Sequence, residues 1–447
     1  MNDDRLAQAR AIVLPPNHPQ RNDLNNEVHA RPPEALKAPV RISYLALVPD
    51  GATSGSGIEP IRDLARRHGA PEPGDGLNHY SADFGTFRVK WERHTEYTRY
   101  TFIVQGVPGD PFVQTAIGAV PHEWIASLPG KVLVASHAVL LAMPAGDLDP
   151  EQVATRYFNG SVLIGSSISD GAAAAFTDFR FHADGFTRHV LFDRGMTPRQ
   201  SGRSVQRLLE IDTYRMLSLL ALPVARDLTP FLAATERELA EITSSMVGAG
   251  EADEPVLLDR LTRLEAQIEK ERSTNSYRFS ASVAYYDLVT QRIQDLREQR
   301  IPGLQTFEEF TARRLAPAMS TCRAVARRQD QLSGRLSQAT QLLSTRVDIT
   351  RERQNQAVLE SMNRRAKQQL RLQQTVEGLS IAAITYYIVG LVSYAAKAAN
   401  SAGAAINPDV VTGFSIPFVV GVVAYGLRHV RRAILPGSKS SFGRSKE

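Results

Sequence analysis

Glu27, His29 and Arg31 occupy alternate positions of a short segment, 25–32 (NNEVHARP), set between Pro15-Pro16 and Pro32-Pro33. In an extended conformation, which a following proline favours, the three side chains share one face. A carboxylate, an imidazole and a guanidinium so placed can bind an anion or move a proton. The plainer expectation is an arm that crosses the domain and satisfies these groups internally. A second polar run, 88–97 (RVKWERHTEY), alternates Arg88, Lys90, Glu92, His94 and Glu96 with Val89, Trp91 and Tyr97. Glu92, His94 and Glu96 could ligate a divalent cation, but alternating opposite charge points first to a solvated, salt-bridging strand face. No resident cofactor is expected from either run, and a divalent cation or small ligand stays open.

Other chemistry lacks the residues it needs. One cysteine, Cys322, in 447 residues excludes an internal disulfide framework and multi-cysteine metal sites. His94-Thr95-Glu96 fits the zinc-deaminase His-x-Glu, but its partner Cys-x-x-Cys cannot exist here. The glycines of 51–57 (GATSGSG) lack the Gly-Lys-Ser/Thr ending of a phosphate loop and read as a turn. Arg323 and Arg327 flank Cys322 and could favour its thiolate, yet no histidine stands near it in sequence, so an ordinary helix cysteine is expected. The net charge of +5 sits mainly near the C-terminus, without a nucleic-acid module, so nucleic acid is not an expected partner.

The elements that must position these residues divide the chain. Residues 1–39 read as an extended arm without the apolar core of a signal peptide, so export of the first domain is not expected. Residues 40–196 read as an α+β cytoplasmic domain, with strands at 40–48, 86–92, 98–105, 132–141, 162–168, 178–182 and 187–193. Helices are expected at 59–68, 121–127 and after Asp149. From 197 to 375 the alternation gives way to helical spacing. Thr197 caps a helix with Pro198 at its first position, and Pro223 and Pro230 bend or divide it. Residues 256–300 form another helix, and Thr306 caps the last one. Leu332, Leu336, Ala339, Leu343 and Val347 make a coiled-coil-like seam that resumes at Val358, Met362, Ala366 and Leu370. About 40 such residues form a stalk of about 60 Å.

Residues 376–432 read as a transmembrane hairpin, followed by a cytoplasmic tail at 433–447. The stretches 379–396 and 410–427 carry no charge, and each gives about 27 Å of helix against a hydrocarbon layer of about 30 Å. Arg364, Arg365, Lys367 and Arg371 precede the first, and Arg428, Arg431 and Arg432 follow the second, so both termini are expected in the cytoplasm. These basic clusters also suit anionic lipid headgroups. Thr385, Tyr386, Tyr387 and Ser393 bring hydroxyls into the first span, for helix–helix hydrogen bonds or a polar pathway. Gly413, Pro417 and Gly421 recur every fourth residue of the second and offer a small, kinkable face.

The runs Asn26-Glu27-Val28-His29-Ala30-Arg31-Pro32, Lys90 to Glu96 and Gln374 to Ser380 resemble a bacterial family of uncharacterised membrane-anchored proteins, a domain of unknown function, over nearly the whole chain. That resemblance implies membrane anchorage and supplies no catalytic residue. The order of an α+β domain, a long helix entering the first span, a short outer loop and a basic tail also looks similar to CorA-type divalent-cation channels. In that family homopentamers line the pore and a Gly-Met-Asn motif ends the first span. Here the same place reads Ser393-Tyr394-Ala395-Ala396-Lys397, which argues against magnesium selectivity. The resulting expectation is a non-enzymatic, self-associating sensory or interaction protein of the bacterial inner membrane. A CorA-like oligomeric channel is the second reading, and a membrane-tethered metal-dependent hydrolase using Glu27, His29, Glu92, His94 or Glu96 is the third.

Overall fold

The computed structural model describes residues 15–22, 24–25, 32–49, 57–146, 148–403 and 405–434. It divides into two compact units, Met1–Ala249 with Val256–Gln341, and Gly250–Pro255 with Leu342–Glu447.

The first unit is built on one nine-stranded mixed sheet. Its strands are β1 (Val40–Val48), β2 (His79–Asp83), β3 (Arg88–Arg93), β4 (Thr98–Gln105), β5 (Lys131–Ala142), β6 (Ile164–Ile168), β7 (Ala173–Thr177), β8 (Thr187–Asp193) and β9 (Gln299–Arg300). They lie in the order β2-β3-β4-β1-β5-β8-β7-β6-β9. The β5–β8 ladder is parallel, whereas β1 with β4 and β5, and β7 with β8, run antiparallel. Side-chain alternation gives the sheet two apolar faces, so both are covered. On one, Leu45, Leu47, Trp91 and Phe102 pack with Ile61 and Leu64 of helix α1 (Glu59–His68) and Trp124 of helix α2 (His122–Ala126). Helix α3 (Pro150–Phe158) covers Val139, Phe176 and Val190 farther along.

The other face lies under helix α4 (Pro198–Leu219), whose Val205, Leu208 and Leu217 share one core with Ile42, Tyr44, Leu140 and Leu191. Ile293 of helix α6 (Glu254–Leu296) and Phe307, Leu315 and Met319 of helix α7 (Phe307–Ser401) belong to the same core. The division expected between 196 and 197 is therefore crossed by the main core: the apolar stripe of α4 has the sheet as its partner. The Thr197 cap forms as expected, as a capping box with Gln200, and Thr306 and Glu309 exchange bonds at the start of α7.

The chain turns at Leu220 into helix α5 (Ala221–Gly248), so Pro223 lies in the first turn of a new helix and Pro230 inside it. Farther along, α5, α6 and α7 form a three-helix packing tied by Arg328–Glu236 (2.5 Å), Arg272–Asp330 (3.0 Å) and Arg260–Glu238 (3.4 Å). Leu332, Leu336 and Ala339 are buried along it, and Leu343 and Val347, in the second unit, are buried as well. Val358, Met362 and Leu370, by contrast, are exposed.

The second unit contains the apolar end of α7 and helix α8 (Pro408–Ile434). Among the described residues, three stretches are long and apolar enough to cross a membrane: Pro198–Gly248, Phe307–Ser401 and Pro408–Gly426. The first carries Glu210 and Asp212 buried against the sheet, and its apolar side is engaged in the first unit's core.

Gly202 lets the chain at Glu34 touch α4. A Cβ built there would stand 1.6 Å from the Glu34 carbonyl oxygen, a contact that only backbone movement relieves. Gly202→Ala is expected to lower unfolding stability by about 3 kcal/mol in chemical denaturation. Gly334→Ala, with open space around its Cβ, should leave it unchanged or raise it by about 0.5–1 kcal/mol.

Candidate functional site

The charged face of β3 is the feature on which the sequence expectation and the structure differ most. Lys90 and Glu92 do point to one side and Val89 and Trp91 to the other, but Lys90 is 5% exposed and Glu92 1%. The face is covered by α4 instead of by water. Three charged groups meet there because β3 and β4 set Glu92 opposite Arg99. Arg99 Nε and Nη2 donate to the two oxygens of Glu92 at 2.5 and 2.9 Å, a bidentate pair. Its Nη1 donates to Glu210 of α4 at 3.1 Å. Glu210 also accepts from Arg292 of α6 at 2.5 Å and from Gln206 at 2.8 Å. Lys90 Nζ donates to the Pro32 carbonyl at 2.7 Å and lies 3.2 Å from Glu92.

Three cations thus surround two carboxylates away from solvent. Burial works against every one of these charges. Arg99 and Lys90 outweigh it at Glu92, and Arg99 and Arg292 outweigh it at Glu210, holding both carboxyls below their ordinary range. Burial is likewise outweighed at Arg99, where Glu92 pushes the guanidinium well above its ordinary value. At Lys90 burial prevails and lowers the ammonium.

Residues 32–36 form a strap over this cluster. Beyond Lys90 on Pro32, Glu34 accepts from Ser81 at 2.6 Å and Arg88 at 3.1 Å, and Leu36 N–H donates to the Pro198 carbonyl at 2.9 Å. Beneath it a cavity of about 30 Å³ is lined by Glu34, Lys90, Glu92, Arg99, Gly202 and Gln206. That volume holds one or two waters and no organic substrate.

Glu27, His29 and Arg31 lie outside the described residues, and the chain that follows them is this strap. His94 and Glu96 stand beyond the end of β3: the His94 ring stacks on Tyr97 at 4.4 Å, and Glu96 pairs with Arg278 at 2.9 Å. Glu92, His94 and Glu96 therefore face different partners. Among the described residues no group of three or more His, Cys, Asp or Glu is arranged to hold a metal ion. Burial pushes the Cys322 thiol up, in keeping with an ordinary helix cysteine.

Two polar clusters were not expected from sequence. Under α4, Asp212 accepts from Ser136 (2.8 Å), Thr187 (2.7 Å) and Arg215 (2.6 Å), with His189 Nε2 3.7 Å away. Burial opposes its charge, but Arg215 and His189 prevail and hold the carboxyl well below its ordinary range. On the opposite face, Ile117 N–H donates to Ser43 Oγ at 3.0 Å, and Ser43 Oγ lies 2.9 Å from His137 Nδ1. His137 Nε2 stands 3.7 Å from Asp184, and its ring stacks on Phe186 at 4.0 Å. A serine, a histidine and an aspartate in line suggest a nucleophile, yet Ser43 is 0% and His137 3% exposed. No carbonyl substrate reaches a serine so enclosed, and the line is a structural one. These partners are 76 and 94 residues apart in sequence, so no local motif announces them.

In the second unit, Thr385, Tyr386 and Ser393 do line one groove, with Tyr387 and Lys397, between the end of α7 and α8; it encloses about 740 Å³. Gly413 and Gly421 do not serve as a close helix contact within one chain, since nothing lies within 4 Å of a Cβ built on either.

Together these features define a membrane-compatible protein whose α/β unit, with a mixed sheet, is followed by long helices. Residues 16–434 match the family described as protein of unknown function DUF3422, and the chain belongs to that family. No curated protein matches it, and no solved structure does.

Two outcomes follow from the buried charges. Arg99→Met leaves Glu92 and Glu210 buried with a partner missing and should cost about 3–5 kcal/mol, whereas a triple change with Glu92→Leu and Glu210→Met should recover most of it; denaturation of the three forms compares them. Burial, the largest influence, lowers the His137 imidazole to about 4, with Asp184 acting upward and Arg188 downward. An unfolded histidine takes its proton near pH 6.5, so between about 6.5 and 4 the unfolded chain binds more protons and stability falls as pH falls, by up to about 3 kcal/mol. His137→Gln should remove that slope, read as the difference between the two proteins' stability curves across that range.

Proposed function

We propose that this protein is a membrane-anchored, non-enzymatic cytoplasmic sensory or interaction protein that self-associates. Its α/β unit faces the cytoplasm of a bacterial cell, and its two C-terminal apolar stretches form a hairpin in the inner membrane. The observation that carries this reading is the continuity of α7. One helix begins in the sheet's own core at Phe307, which is 1% exposed, and ends at Ser401 after an apolar window only 11% buried. A helix that exposes such a stretch needs lipid or another chain around it. The absence of charge within 379–396 and the basic residues before it fit a span entering from the cytoplasm. The enclosed polar clusters of the α/β unit favour binding or relay over catalysis, because their groups are spent on one another.

A second reading, conduction by a CorA-like oligomer, is favoured by the hydroxyl-lined groove of the second unit. Lys397 at one end of that groove opposes cations unless it turns its ammonium to the interface.

A membrane-impermeant thiol reagent tests the anchorage in intact cells carrying Cys322→Ala. Ala402→Cys should react from outside, and Ser438→Cys only after permeabilisation. Protection of both positions until permeabilisation would remove the hairpin. For the second reading, ion flux in liposomes that Thr385→Val reduces would support conduction, and no flux for common cations and anions would dismiss it.

A further inference from the structure

We infer that Arg203 and Arg207 of α4, with Arg297 just beyond the end of α6, form a binding site for a phosphate group on the first unit. The inference goes beyond the function proposed above and holds whether or not the chain is anchored in a membrane.

Placement is the first argument. Arg199, Arg203 and Arg207 follow one another at intervals of four along the start of α4, which has no acidic residue in its first turn. Like charges at that spacing repel, and the amino end of a helix already carries the positive end of its dipole. Arginines from α6 add to the row. Ser204 Oγ lies 3.1 Å from Ser169 Oγ, and Ser169 N–H donates to the Leu296 carbonyl at 2.8 Å, so the turn after β6 links the start of α4 to the end of α6. Arg297 stands at this junction, paired with Asp170 of that turn at 2.5 Å and still 59% exposed.

The second argument is an unmet demand. The Arg207 side chain is only 26% exposed, yet the carboxylate oxygen nearest it, Asp295 Oδ2, lies 3.9 Å from its Nε, too far for a hydrogen bond. Arg292 already donates to that same oxygen at 3.2 Å. Burial lowers the Arg207 guanidinium, and Arg203, Arg292 and Arg297 act in the same direction, against Asp295 alone. Arg199 and Arg203 are exposed and, among the described residues, pair with no carboxylate. The pairing that neutralises Arg99 thus stops short of this row. A guanidinium presents its donors as a planar fork that fits a phosphate. A carboxylate would bring one charge and two oxygens, whereas a phosphate monoester brings nearly two charges and three terminal oxygens, and so answers several cations at once.

The test titrates the full-length protein, in a neutral detergent, with inorganic phosphate by calorimetry, holding ionic strength constant with chloride. Binding should saturate. Arg207→Gln should weaken it about tenfold, the loss of one charge-assisted pair, and Arg203→Gln with Arg207→Gln should abolish it. Arg263→Gln, the same change of charge near the other end of α6, should leave it unaltered. Without phosphate, Arg207→Gln should unfold no more readily than the unaltered chain, which separates lost binding from lost fold; if it does unfold more readily, Arg207→Lys, which keeps the charge and loses the fork, takes its place in the titration. Glycerol 3-phosphate and phosphatidic acid carried in the micelles, compared as competitors, name the source: the tighter of the two shows whether a soluble ester or a lipid headgroup is the occupant. Absence of saturable phosphate binding, or binding that the double change leaves equally tight, overturns the inference while the proposed anchorage stands.

Discussion

Arg99 carries a permanent charge almost wholly out of water, and the first unit is arranged around neutralising it. Removing an ion of this kind from water costs several kcal/mol, recovered only with good geometry on every side. Glu92 provides a bidentate face from the neighbouring strand, and Glu210 reaches down from α4. Two residues farther along α4, Asp212 bonds to Ser136 of β5 and Thr187 of β8, and Thr213 bonds to Tyr44 of β1 at 2.8 Å. In the sheet order, β4 lies on one side of β1 and β5 and β8 on the other. The helix is therefore pinned across β1 at three points, and a slip by one residue would break all of them. Apolar packing alone leaves such a register loose; buried polar pairs fix it, because every alternative leaves a charge without a partner.

The same logic sets the path of the chain's beginning. Lys90 would be a buried ammonium facing one carboxylate already shared with Arg99, and the Pro32 carbonyl supplies its remaining partner. The strap is held at one end by that bond and at the other by Leu36 on Pro198, with Gly202 clearing the space between. The motif 26–31 thus leads straight into a segment seated on the charge cluster. Lys90, Glu92, Arg99 and Glu210 hold strands, helix and strap in one arrangement.

Much of the sheet was legible because half-buried strands alternate. The edges expected for β1, β4 and β8 agree with the structure to the residue. β7 escaped because its residues, Ala173 to Thr177, are all buried and mostly alanine, leaving no alternation to read. Residues 178–182 misled in the opposite sense: Phe179 and Phe181 alternate with polar neighbours as a strand would, but Phe179 has φ +50°, and Asp178 pairs with His182 across a loop at 3.2 Å. The charged face of β3 was correctly phased and wrongly hydrated. Phase is a property of the strand itself, whereas its cover comes from α4, more than a hundred residues later. Glu210 and Asp212 read as ordinary helix carboxylates until their partners on the sheet are known. The apolar stretches needed no partner to be read as apolar, since that signal is length and composition alone.

The two units treat polar groups in opposite ways. In the first, Arg99, Glu92, Glu210 and Asp212 are enclosed and each finds its partners within the chain. In the second, hydroxyls at Tyr386 and Tyr387 stand on an apolar helix without such partners, which is tolerable in water and costly in hydrocarbon.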